Sequence, residues 1–169
     1  GVEKTVPINE DVPATFEDGS TTKTVEGEGT YTVAPDGTVT FVPEKSFTGT
    51  ASAVTVVRED KNGTKASATY TPTVTPVTPT AEDVTSTDKQ GQTQTGKPTF
   101  TPGNSNVPMD DDVPAAFEDG STTKVIPGEG TYTVAPDGTV TFVPEKSFTG
   151  TGTGVTVKRV DKNGTPVTA

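Results

Sequence analysis

The sequence predicts an all-β chain of two tandem units, and three observations carry that prediction. The block GEGTYTVAPDGTVTFVPEKSFTGT occurs twice, at 27–50 and at 128–151. Extended outward, 12–68 aligns with 113–169 without a gap, at a constant shift of 101 residues, and only 12 of the 57 pairs differ. Composition is the second observation: Thr (37) and Val (23) dominate, and Leu, Cys, His and Trp are absent. Thr and Val are stiff at the first side-chain torsion and suit a pleated sheet better than a helix. Third, 18 Gly and 15 Pro in 169 residues interrupt any helical run. The hydrophobic fraction, 28%, is well below the usual ~45–50%, so each core is thin.

The elements follow in order. Tyr31–Ala34 and Thr38–Val42 flank Pro35-Asp36-Gly37. Pro, Asp and Gly at the second, third and fourth positions suit a type I turn followed by a glycine bulge, so the two runs form a hairpin. Tyr31 and Val33 share one strand face, as do Val39 and Phe41. Phe47 in SFTG is expected to plug the sheet after a further turn. A strand through Val54–Arg58 comes next, then a turn at Asp60-Lys61-Asn62-Gly63. A strand through Ala66, Ala68 and Tyr70 is expected to close the meander. The run TPTVTPVTPT at 71–80 reads as an edge strand, as extended polyproline-like chain, or as both in sequence. The polar stretch that follows, with Phe100 as its only large apolar residue, looks like a linker taken alone. The repeat register makes it instead the leader of the second unit. Domains are expected at 1–79, lacking that leader, and at 80–169, lacking a counterpart of Thr69–Val77. An unpaired edge would recruit other strands.

The differences between copies test this reading. Val57 becomes Lys158 and Glu59 becomes Val160, whereas Val54 and Val56 are kept as Val155 and Val157. Such variation suits a strand with one wet face. Val25 becomes Ile126, an exchange that fits a buried position. The expected core is Phe16, Val25, Tyr31, Val33, Val39, Phe41, Phe47, Val54 and Val56, with their equivalents 101 residues on.

Charge narrows function. A net charge of −10 and no basic cluster disfavour nucleic acid and anionic membrane surfaces as partners. Without His or Cys there is no nucleophilic triad. Acids stand at Glu17-Asp18, Glu26/Glu28 and Asp110–Asp112, so a carboxylate pair is conceivable by residue type. Solvated turns account for them more simply, and the chain is expected not to be an enzyme and to need no cofactor. Calcium is the better alternative. Asp110, Asp111 and Asp112 are its candidate ligands, and Asp60–Gly63 and Asp161–Gly164 resemble half of an acidic loop without its closing acid. Asn62-Gly63-Thr64 and Asn163-Gly164-Thr165 match a glycosylation pattern, but Asn-Gly also serves the turn. An isopeptide crosslink would need a buried Lys, and Lys23 and Lys124 are the candidates inside strand-like runs.

The pattern GEGTYTVAPDGTVTFVPEKSFTGTxxxVTVxRxDKNG resembles the CshA-type fibril repeats of streptococcal cell-wall-anchored surface adhesins. The resemblance also covers the leader TAEDVTSTDKQGQTQTGKPTFTPGN, the segment VPxxFEDGSTTK, and TYTPTVTPVTPT. The stretch TYTVAPDGTVTFVPEKSFTG is similar to bacterial Ig-like and cadherin-like repeats, which implies two β-sandwiches arranged end to end. The resemblance further implies a stalk. Repeats would hold an adhesive tip away from the cell, as part of a longer secreted protein at the bacterial surface, and host matrix or partner bacteria would be met by other regions. Neighbouring repeats of the same chain are then the partners of each unit. The alternative is an adhesive module, in which the repeats themselves bind host matrix protein or partner cells. Strands of about 10 residues would make a unit ~35 Å long.

Overall fold

Strands form through both copies where the turn signals place them, in a computed structural model that describes residues 5–169. The expected start of the first copy, at Gly1, lies outside the described residues. The chain divides into unit 1, Gly1–Pro76, and unit 2, Val77–Ala169. Among the described residues there is no helix.

Unit 1 contains β1 (Thr15–Phe16), β2 (Thr22–Val25), β3 (Gly29–Val33), β4 (Val39–Pro43), β5 (Gly49–Thr50), β6 (Val54–Glu59), β7 (Lys65–Tyr70) and β8 (Thr73–Val74). Strands β2-β3-β4 form one antiparallel sheet and β1-β6-β7 another, while β5 pairs with β8. The β3–β4 turn has the expected chemistry. Gly37 N donates to Ala34 O (2.9 Å), Ala34 N donates to Thr38 O (2.8 Å), and Gly37 takes φ 95°. That register sets Tyr31 opposite Phe41 and Val33 opposite Val39.

One core joins the two larger sheets. Ala14, Phe16, Tyr31, Val33, Ala51 and Val54 are buried, with Val25, Val39, Phe41, Phe47 and Val56 packed against them. All nine residues expected in the core of the first copy are present. Ala14 and Ala51 are additions, too small to stand out in a Thr/Val-rich sequence. Tyr31 stacks obliquely on Phe41 at 4.6 Å between centroids, and Phe47 meets Phe41 edge-on at 6.4 Å. Phe47 thus covers the hairpin, as expected. The Tyr31 hydroxyl donates to Ser52 O, so the phenol is buried without an orphaned polar group.

Two expectations need correction. The strand expected through Val54–Arg58 does not continue a meander from β4: as β6 it pairs with β1, Phe16 opposite Val56, and with β7. The link from β4 to β6 carries the chain to the second sheet, so that Val54 and Phe16 close the core over Tyr31 and Val33. Strands are also shorter than ten residues. The longest, β6 and β7, have six, about 20 Å of extended chain. Frequent Gly, Pro and Asp turns end each run.

Unit 2 contains β9 (Thr80–Glu82), β10 (Gln94–Gly96), β11 (Thr99–Thr101), β12 (Ala116–Phe117), β13 (Thr123–Ile126), β14 (Gly130–Val134), β15 (Val140–Pro144), β16 (Val157–Val160) and β17 (Pro166–Thr168). Its sheets are β10-β15-β14-β13 and β12-β16-β17, with β9 paired to β11. The core follows that of unit 1 around Ala115, Phe117, Tyr132, Val134 and Val157, with Phe100, Ile126, Val140, Phe142 and Val155 packed against it; Phe148, expected there as the equivalent of Phe47, lies outside this cluster and meets Phe142 edge-on at 6.3 Å. The stretch that looked like a linker is therefore folded into this unit: β10 adds a fourth strand and Phe100 joins the core.

Candidate functional site

Of the acids nominated by sequence, Asp18, Asp60, Asp110 and Asp161 serve turns. Asp110 Oδ1 accepts from the Asp112 N–H (3.0 Å), and Asp110 N donates to Val160 O (2.9 Å). Asp111 pairs with Arg159 Nη2 at 2.9 Å. At the equivalent place in unit 1, Asn9 Oδ1 accepts from the Asp11 N–H (3.0 Å) and Glu10 meets Arg58 at 3.4 Å. A neutral Asn thus does the work of Asp110, and the turn does not need its charge. Among the described residues no three acidic side chains gather into a group that could hold a metal ion. The calcium candidates Asp110, Asp111 and Asp112 lie together in one turn, each aimed at its own backbone or arginine partner or at solvent.

The other Asp residues repeat this device. The Ser20 hydroxyl and N–H donate to Asp18 Oδ1, and the Thr38 N–H donates to Asp36 Oδ1. These bonds favour the ionised form and hold both carboxyls below their ordinary value of 3.8. Ser121 and Thr139 do the same for Asp119 and Asp137. Asp60 Oδ1 accepts from the N–H groups of Asn62 and Thr64, closing the turn whose Gly63 has φ 77°. Asp161 does likewise for Asn163 and Thr165, and is fully buried. The half-loops that resembled calcium sites are thus hydrogen-bonded turns through Oδ1, while Oδ2 of the buried Asp161 has no hydrogen-bond partner. Asn62 is exposed in its turn and Asn163 half-buried; Lys23 and Lys124 are exposed on β2 and β13, outside the core where an isopeptide bond would need them.

Two polar contacts escaped sequence reasoning. Glu28 takes the Ser52 N–H on one carboxylate oxygen and the Ser52 hydroxyl on the other, tying the start of β3 to the segment before β6. Glu129 holds Thr153 in the same way. The replacement of Ser52 by Thr153, which keeps the hydroxyl, was the available signal. Arg58 lies on the core side of β6 with Cδ 3.7 Å from the position of a Cβ on Gly37, and Nη1 donates to Asp36 O at 3.4 Å. Arg159 occupies the same place against Gly138. Their stems cover the hairpin turn; each Nη2 reaches an exposed carboxylate, and each Nε is buried without a partner.

Concave surfaces lie within each unit, among them one of about 660 Å³ in unit 2 between the polar run Thr85–Gly91 and Tyr132, Phe142 and Phe148. Another in unit 2, about 510 Å³, is lined by Phe117, Glu118, Asp119, Lys124 and Thr153–Thr156. Asp119 there is occupied by Ser121, and Glu118 and Lys124 are exposed beside it. One in unit 1, about 420 Å³, is apolar and is bordered by Gly37, Val39, Val56, Arg58 and β7.

With this geometry in place, the comparisons with known proteins are specific. The family profile of the surface adhesin CshA repetitive domain matches residues 1–74 and again residues 76–169. Among solved structures, the chain is similar to the NMR structure of repeat domain 13 of the fibrillar adhesin CshA from Streptococcus gordonii. Identity is 63%, over 40% of this chain and 86% of that one, with a TM-score of 0.24. No curated protein matches the chain.

Proposed function

The chain belongs to the CshA surface-adhesin repeat family, and on that premise we propose that it is a structural spacer. In this reading it is stalk material of a secreted, cell-wall-anchored bacterial fibril and carries an adhesive region of the parent protein away from the cell. The repeat boundary is taken at Pro79–Thr80, where β9 begins. Neighbouring repeats of the same chain are its partners, and it performs no chemistry.

The observation that supports this reading most is where the shared polar side chains go. Asp18, Glu28, Asp36, Arg58 and Asp60, with their counterparts, all bond to groups of their own unit. These residues, identical in both copies, thus hold the fold. The adhesive-module alternative would gain avidity from repetition. Binding hot spots favour Trp, Tyr and Arg. Here the exposed large apolar residues are mostly valines, such as Val42, Val125 and Val143, with Tyr70 the one aromatic among them.

Immobilised chain challenged with host matrix protein and with partner bacteria tests the choice. The spacer reading predicts no saturable binding to either. Saturable binding by the repeats alone would replace it with the adhesive-module reading.

A further inference from the structure

The same strand is covered in one unit and open in the other. β4 and β15 have the identical sequence VTFVP. In unit 2, β10 lies antiparallel along β15, with Gln94, Thr95 and Gly96 opposite Phe142, Thr141 and Val140. Lys97 Nζ reaches to 3.6 Å from Asp137 Oδ2. Phe100 then lies over the hairpin turn: its Cε2 is 3.6 Å from the position of a Cβ on Gly138. Phe100 packs against the buried core of unit 2, as Val140, Phe142 and Val155 do.

In unit 1, β4 pairs only with β3 among the described strands. Gly37, the counterpart of Gly138, borders the open apolar groove of about 420 Å³ that runs between Val39 on β4 and Ala68 and Tyr70 on β7. Exposure follows the same difference. Gly138 is buried and Thr139 and Thr141 are half-buried, whereas Gly37 is half-buried and Thr38 and Thr40 are exposed. The groove of unit 1 therefore occupies the place that the leader fills in unit 2.

We propose that unit 1 carries an acceptor groove for an extended segment of the leader's own chemistry, the sequence Gln94–Thr101. A Gln-Thr-Gly run pairs antiparallel with the outer edge of β4, and a Phe four residues beyond that Gly inserts over Gly37. Unpaired N–H and C=O groups of an edge strand supply the pairing, and the pocket for one aromatic ring supplies selectivity. The basic residue after the Gly, Lys97 in the leader, meets the carboxylate of Asp36 as it meets Asp137 in unit 2. This site goes beyond the spacer reading and stands on the comparison of the two units, whatever the parent fibril does.

Two arms test it on the full chain. In the first, isotope-labelled chain is titrated with a synthetic peptide of residues 80–104. Saturable shifts are expected at Gly37, Val39, Phe41 and Tyr70. A peptide carrying Phe100→Ala should bind at least about tenfold more weakly, and a scrambled peptide should leave those signals unmoved. In the second arm, a copy of Thr80–Thr101 is placed ahead of Gly1. The unfolding temperature of unit 1 should rise by several degrees, and Phe→Ala in the added copy should abolish the rise. That gain, with its loss on Phe→Ala, supports the proposal even where the free peptide binds too weakly to saturate. No gain in the second arm overturns it, as do shifts confined to other surfaces or a peptide without Phe that binds equally well. Concentration-dependent shifts at Gly37 and Val39 without peptide would also overturn it, because a second copy of the chain would then be the occupant.

Discussion

Gly29 shows how closely the hairpin is packed at the level of one atom. A Cβ there would stand 2.4 Å from Val42 O and 2.8 Å from Pro43 Cα, both backbone atoms that cannot step aside. Gly29→Ala should therefore destabilise unit 1 by about 1–3 kcal/mol, read as a lowered midpoint for that unit in thermal unfolding. A midpoint unchanged within a degree would contradict the packing. The turn aspartates make stability depend on pH at the acid end. Their folded pKa values lie below 3.8, so the stability they add is complete above that value and is lost as pH falls through the lowered one. The unfolding temperature should change little from pH 7 to 5 and fall below about pH 4. Replacing Asp18, Asp36, Asp119 and Asp137 by Asn should flatten that fall, and an undiminished fall would show that other groups control it. These turns were legible because Asp and Gly act on backbone two or three residues away. The Glu28–Ser52 contact was not, since its partners are 24 residues apart and each is an ordinary surface residue alone.

At the scale of elements, local pairing was readable and long-range pairing was not. The β3–β4 and β6–β7 hairpins follow from Pro-Asp-Gly and Asp-Lys-Asn-Gly. The placement of β6 beside β1 depends on a two-residue strand, too short to carry a periodic signal. The leader looked like a linker because its one aromatic has no apolar neighbour in sequence; Val140 and Phe142 supply those neighbours only in the fold. The segment after β7 also has a definite role in unit 1. Thr69 and Tyr70 pair with Thr55 and Val54, and Thr73 and Val74 pair with Thr50 and Gly49. In unit 2, Gly150, Thr151 and Val155 lie outside the described strands. A copy of Thr69–Val77 added after Ala169 should pair there and raise the unfolding temperature of unit 2, at roughly 4–8 °C per kcal/mol gained. Amide exchange resolved by unit would report it, and unaltered protection at 150–156 would assign that segment to linker.

For the whole molecule, duplication limits what identity can mean. The copies agree at core, turn and surface alike, so agreement alone marks no site, and function has to be argued from where side chains go. They go into their own units, which suits material that acts through its length. A net charge of −10 over two units opposes close association between copies of the chain. Fold class and core were legible because Thr/Val alternation and turn residues repeat in register. The open groove of unit 1 was not, since it is defined by what covers the same surface in unit 2. The most direct test of the spacer account is small-angle scattering of the 169-residue chain in solution. The spacer account predicts a radius of gyration of about 20 Å or more. A value near 15 Å, that of a single globule of this length, or one near 40 Å, that of an unfolded chain, would contradict it.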